Sequence, residues 1–465
     1  MRIRPPPAQQ GPTRWTRSHK GAAWLVLGFA LTAALLTAVG IWYRLEGQGL
    51  VRSLVRGVSP QADVSANGLP VVHLEIGREA YEVLEEQWRG AVQRGILQLD
   101  EPDWLPARIR LGDKEIPAVL WLEGDGADLW HADKWPFRVR IGDGATILGM
   151  RAFSLHSPAA HGYLNTWFYV ESLREAGLLA PRYTFVNVAV NGEDRGIYAL
   201  QESPSKELFE SQKRSEGIVV RLGYSALWRG QDPLDAAEHG LPDLSTDPAA
   251  TGLGLPALAR VDESYAIQVE TDPTWSEQAV TALGLLRAFS SQRLTASEVF
   301  DAPQMGRYIA HANLWGTRGG STWHSERFAY NPVTSRLEPL GYDVVPHVSG
   351  QAHPLDLAPY DDLAIMEAYS QEAWRISRPE HLAGLRSSLV EEIGRYTAAL
   401  AQEFAPSELE LPWDTLSSRQ RALSSALVPP QTVHAYQGGD PQAGNAPSSA
   451  LEIRVGNLLR YPVVL

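Results

Sequence analysis

The chain has 465 residues, a formal net charge of −13 and no cysteine. The lack of cysteine excludes disulfides, thiolate metal sites and cysteine nucleophiles. The acidic balance argues against nucleic acid as a partner, because phosphate neutralisation needs clustered Lys and Arg.

Residues 1–20 carry Arg2, Arg4, Arg14, Arg17 and Lys20 and no acidic residue. Gly21 to Tyr43 is then a charge-free, Leu/Ala/Val-rich run. As a helix it would be about 34 Å long, enough to cross a hydrocarbon core of about 30 Å. Trp24, Trp42 and Tyr43 lie near its ends, where amphipathic rings favour the membrane interface. The pattern predicts a single transmembrane anchor, with the basic arm in the cytoplasm and the rest outside it. A cleaved signal peptide is the rival reading. Residues 44–70, with Gly47, Gly49, Gly57, Ser59-Pro60 and Gly68, read as a linker.

Residues 71–225 read as a mainly β region. Val71 to Ile76 alternates as a strand, and Arg78 to Leu97 has apolar positions at helical spacing. Short strands are predicted at 107–111, 118–122, 137–141 and 145–150, and a helix over Asn165 to Ala176 that Gly177 ends. Thr184 to Val190 alternates again. Asn191-Gly192 is a turn signal, because both residues tolerate positive φ, and Gly196 to Leu200 returns as the second arm of a hairpin. A short charged helix over 205–214 and a strand over 218–222 follow.

Residues 226–273, rich in Gly, Pro, Asp and Ala, read as an insertion or surface loop. Residues 274–426 read as mainly helical, with amphipathic helices over 274–289, 297–315 and 380–404. Residues 427–465 read as a linker followed by two strands, Leu451 to Val455 and Tyr461 to Leu465.

The hairpin wording, Val190-Asn191-Gly192, then Gly196-Ile197-Tyr198, then Leu200-Gln201-Glu202, resembles the spore coat protein H (CotH) kinase-like family. So do Lys134-Trp135-Pro136-Phe137-Arg138, Gly149-Met150-Arg151-Ala152-Phe153 and Leu337-Glu338-Pro339-Leu340-Gly341-Tyr342-Asp343. The similarity covers roughly residues 70–400. It implies an α+β, protein kinase-like two-lobe body, ATP and Mg²⁺ as cofactors, and phosphoryl transfer to hydroxyls of an envelope protein. By position, Glu202 and Asp343 are the matched acids, with Asp343 as the metal ligand. Lys134, Arg138, Lys206 and Arg221 are the basic residues in reach of phosphates. Gly142-Asp143-Gly144 stands where such a fold has its glycine-rich loop, and it reads first as an ordinary Asp-Gly turn. Glu171 and Glu175 are available as an inward helix glutamate or as part of a solvated face.

One departure bears on activity. A kinase-like catalytic loop needs an aspartate, and an asparagine about five residues on. Gly316 to Tyr330 has neither, and offers Ser321, His324, Ser325 and Glu326 instead. His324 is the candidate proton acceptor there. Two other readings therefore stand beside the kinase: a degenerate pseudokinase serving as an envelope scaffold, and a glycan or cell-wall binding module using some of the 15 tryptophans and 16 tyrosines for sugar stacking.

Overall fold

The chain divides into two compact units, Met1–Gln61 and Ala62–Leu465. The structure, a computed structural model, describes residues 63–94, 97, 104–123, 134–142, 144–222, 259–317, 326–342, 346, 360 and 362–427, plus the backbone at 433–438 and 452–457. All of these belong to the second unit. The expected anchor, Gly21 to Tyr43, lies outside the described residues. Among the described residues, no helix is long and apolar enough to cross a membrane.

The protein is α+β. Its first body is a closed seven-stranded barrel built from β1 (Val71–Ile76), β2 (Leu105–Leu111), β3 (Lys114–Leu122), β4 (Phe137–Ile141), β5 (Ala152–His156), β6 (Tyr183–Val190) and β7 (Glu193–Glu202). The strand order is β1-β2-β3-β4-β5-β7-β6, and β1 closes the ring by pairing parallel to β6. Strand alternation explains the closure. Val72, Leu74, Ile109, Leu120, Val139, Phe153, Tyr198 and Leu200 share one buried cluster inside the ring. Helix α1 (Arg78–Arg94) contributes Ala80, Leu84 and Ala91 to the same cluster.

The Asn191-Gly192 turn is as the sequence predicts. Both residues have positive φ, 50° and 83°, which makes a two-residue turn matched to strand twist. β7 starts at once after it, earlier than Gly196. The tip is pinned to β1: Asn191 Oδ1 accepts from the Ile76 amide at 2.7 Å, and the Asn191 amide donates to the Leu74 carbonyl at 2.9 Å.

The second body is a four-stranded sheet with helices. Its order is β11-β10-β8-β9, from β8 (Val219–Leu222), β9 (Ala259–Val261), β10 (Arg327–Asn331) and β11 (Arg336–Leu340). Helix α2 (Leu164–Glu175), with Trp167, Phe168 and Leu173, packs in the same core cluster as Phe185 and Ile197 of the barrel and Leu340 of β11. Helix α3 (Lys206–Ser211) and α4 (Ala266–Thr271) are short. The longer helices are α5 (Pro273–Ser290), α7 (Ala302–Trp315) after the one-turn α6 (Ala296–Val299), α8 (Leu363–Ile376), α9 (Pro379–Ser388), α10 (Val390–Leu400) and α11 (Trp413–Leu427).

Several expectations change. β9 and α4 lie in the stretch read as an insertion, because three residues of strand are too few to show periodicity. β8, grouped by sequence with the N-terminal part, pairs with β10 from the C-terminal part. Residues 326–331 of the expected catalytic loop form strand β10 or its entry. The predicted helix over 380–404 is two helices, broken at Leu389, and Pro379 at the first position starts α9. The terminal strand pair is β12 (Val433–Gly438) with β13 (Glu452–Asn457), one partner falling in the stretch read as linker.

Candidate functional site

The barrel has an outward-facing cross-strand row of Trp121, Arg138, Ser154 and Gln201. Arg138 stands between Phe137 and Val139, which point into the barrel, so alternation turns its guanidinium outward. It is nonetheless 2 % exposed, because the second sheet covers it. Arg138 bonds Glu123 directly, and its Nη2 donates to Ser264 Oγ at 2.9 Å. It lies 3.5 Å from Glu263 and 4.0 Å from Asp262. Ser154 donates to the other Glu123 oxygen.

The second sheet meets it with cations. Arg327 of β10 is directly opposite Arg221 of β8, and Arg221 is directly opposite Arg260 of β9. Like charges in register on adjacent strands are destabilising, and here three stand in a row. Two acids compensate. Asp262, fully buried, accepts from Arg327 Nε at 2.8 Å. Glu263 bonds Arg221 at 2.8 Å. Asp262 also caps the turn after β9 by accepting from the Ser264 amide at 3.0 Å.

The charge states follow. Burial pushes the Asp262 carboxyl up, but Arg327, Arg138 and Arg221 outweigh it and hold the group well below the usual carboxylate range. Burial acts against the Arg138 charge, and Glu123, Tyr342, Glu263 and Asp262 reverse it, so its pKa is raised. Arg260 goes the other way. Burial, then Arg221, pull it down to about 10. Among the described residues no carboxylate ion-pairs directly with Arg260, and the buried Nε atoms of Arg221 and Arg260 have no hydrogen-bond partner. The row thus keeps spare donors, and Arg260 has Glu263 and Asp262 near it but no direct carboxylate partner among the described residues. Arg327 also lies 4.3 Å over the Tyr342 ring, and the residue after Tyr342 is Asp343.

Of the residues singled out from sequence, only Arg138 and Arg221 meet here. Lys134 bonds Glu403 at 2.8 Å and the Arg195 carbonyl at 2.6 Å, and stands 4.8 Å over Tyr198. Lys206 is exposed, 3.4 Å from Glu210 one helical turn on. Glu202 shares its cross-strand row with Val139 and Phe153, both in the barrel core, so it faces opposite to Arg138. There it clamps Arg182, whose Nε and backbone amide donate to Glu202 Oε2 at 2.9 and 3.1 Å. That is a structural ion pair at the barrel end. His324, Asp343 and Asp143 lie outside the described residues. Glu171 lies 3.9 Å from Arg174, and Glu175 accepts from Ser388 Oγ at 2.9 Å.

Glu123, Arg260, Asp262, Glu263 and Arg327 escaped sequence reasoning. The one local signal was Asp262-Glu263-Ser264, a helix-cap pattern that gives no hint of a buried charge cluster.

A family model described as CotH kinase protein matches residues 124–253. The match takes in β4 to β8, and with them Lys134, Arg138, Glu202, Lys206 and Arg221. It stops before Asp262, His324, Arg327 and Asp343. No curated protein matches the chain.

Proposed function

We propose that the arginine row binds the phosphates of a nucleotide, and that the chain is a CotH-like atypical kinase using ATP. The observation that carries this is the register of Arg327, Arg221 and Arg260 across three strands, with Arg138 arriving from the barrel. A sheet that places like charges opposite one another breaks a local rule, and such breaks are expected where function is served. The spare guanidinium donors on Arg221 and Arg260 fit a phosphate, whose oxygens accept paired hydrogen bonds.

Phosphoryl transfer is mostly positioning and charge neutralisation. Arg221 and Arg260 would hold the phosphates, and Arg138 with Glu123 would fix that wall of the site. The acceptor hydroxyl oxygen bonds to the γ-phosphorus as the bond to the ADP oxygen breaks, and His324 takes the hydroxyl proton. The metal stands differently. Among the described residues no group of three acids or histidines could hold an ion, and Glu123, Asp262 and Glu263 are engaged by arginines. Asp343 is the ligand the resemblance implies, and a Mg²⁺ ion held there would neutralise phosphate charge. The charge-free run Gly21 to Tyr43 would anchor the body on the membrane with the site outside the cytoplasm, facing envelope proteins.

A second reading has its own observation. Asp262 and Glu263 already neutralise much of the row, so the cluster is stable without a ligand, as in a pseudokinase scaffold. Labelled phosphate from γ-labelled ATP, followed into the protein itself and into envelope proteins, separates them. Transfer that His324→Ala abolishes supports the kinase. ATP binding without transfer supports the scaffold. The absence of both binding and transfer overturns the kinase and the phosphate-binding role of the row, and leaves the scaffold.

A further inference from the structure

Away from the arginine row, a groove of about 690 Å³ lies between α9 and α11. Pro379, Leu382 and Trp413 form an apolar floor, Arg386 and Arg421 stand on its rims, and among the described residues no carboxylate lines it. The walls are fixed by the fold. Gln420, buried on α11, donates to the carbonyls of Ile376 and Arg378 at 2.7 and 2.9 Å, tying α11 to the junction of α8 and α9. Trp413 is braced from behind by Phe168, edge-on with centroids 5.2 Å apart, and Arg386 lies 5.2 Å over its ring. Both rim arginines are exposed, and among the described residues neither ion-pairs with a carboxylate.

We propose that this groove docks an acidic, leucine-bearing segment of a partner protein. An apolar floor takes aliphatic side chains, and guanidiniums on the rim pair with carboxylates. Charge complementarity sets the occupant: a site with two rim cations and, among the described residues, no acid in its lining selects an anionic segment. Docking needs no nucleotide and stands independently of the phosphotransfer reading.

The probe is a fluorescein-labelled peptide of glutamate and leucine at helical spacing, titrated with the full chain and followed by anisotropy. Saturable binding is expected, weakened severalfold by Arg386→Glu with Arg421→Glu and weakened by salt, while Arg78→Glu on the barrel helix leaves it unchanged. If the double variant fails to fold, Arg421→Glu alone carries the test, since Arg421 only borders the groove. Undiminished binding by the charge-reversed chain would overturn the proposal. So would equal binding of a peptide with serine in place of leucine, or a preference for oligogalacturonate over the peptide.

Discussion

Asp262 accepts a hydrogen bond from Arg327 at 2.8 Å, and both side chains are buried where the four-stranded sheet faces the barrel. The pair joins a turn after β9 to strand β10, segments far apart in the chain, and Arg138 adds the barrel as a third participant. Removing one partner of such a pair leaves the other charged and desolvated. That costs far more than the net contribution of the intact pair.

Asp262→Ala is therefore expected to destabilise the protein by about 3–5 kcal/mol, as breaking a buried ion pair does. Glu82→Ala removes an exposed pair with Arg78 and should leave the unfolding midpoint unchanged. Denaturant titration of both variants checks the contrast. Equal midpoints would mean that the Asp262 cluster is open to water.

Two helix glycines separate space from propensity. At Gly306 in α7, an added Cβ would meet the Tyr369 amide nitrogen at 2.5 Å and the Ala368 Cβ at 2.6 Å, both on the facing helix α8. Gly306→Ala should lose roughly 1–3 kcal/mol through overpacking despite the better helix former. At Gly394 in α10 nothing lies within 4 Å of that position, so Gly394→Ala should gain roughly 0.5–1 kcal/mol. Thermal unfolding of the two single variants reads the opposite signs.

His381 sets a pH dependence. Its ring lies 5.6 Å from His311, which bonds Glu372 at 2.9 Å, with Arg375 on the same carboxylate. Burial, then His311 and Arg375, pull the His381 pKa down from 6.5 to about 3, with Glu372 opposing. The folded state thus holds this histidine neutral where the unfolded chain protonates it. Its contribution to stability is complete above about pH 6.5 and declines toward pH 3, by at most about 1.4 kcal/mol per pH unit. His381→Phe should flatten that limb, leaving the decline due to other groups. Denaturant midpoints measured across this range in both proteins check it, and parallel curves would show that His381 is solvated in the fold.

The barrel was legible where alternation and turn chemistry agree. Asn191-Gly192 with alternating flanks specifies its hairpin locally, and Phe137 to Ile141 shows its inward and outward faces by eye. The arginine row was not legible, because Arg221, Arg260 and Arg327 become neighbours only through strand register across more than a hundred residues. β9 supplies Arg260 from three residues next to a Gly- and Pro-rich stretch, too short for any periodic signal. Glu202 shows the converse. Its place on a strand was readable, but its face depends on the pairing of Phe153 with β7, and that pairing turns it toward Arg182.

The most direct test is the affinity of the detergent-solubilised full chain for ATP, by calorimetry, in wild type and Arg260→Ala. Arg260 ion-pairs with no described carboxylate and stands opposite another guanidinium, so its removal should leave the ligand-free protein as stable as before or more so. Losing charged hydrogen bonds worth about 1.5–3 kcal/mol should weaken ATP binding about tenfold or more. Unaltered ATP affinity in Arg260→Ala, or no ATP binding by the wild-type chain, would contradict the assignment of the arginine row to phosphate.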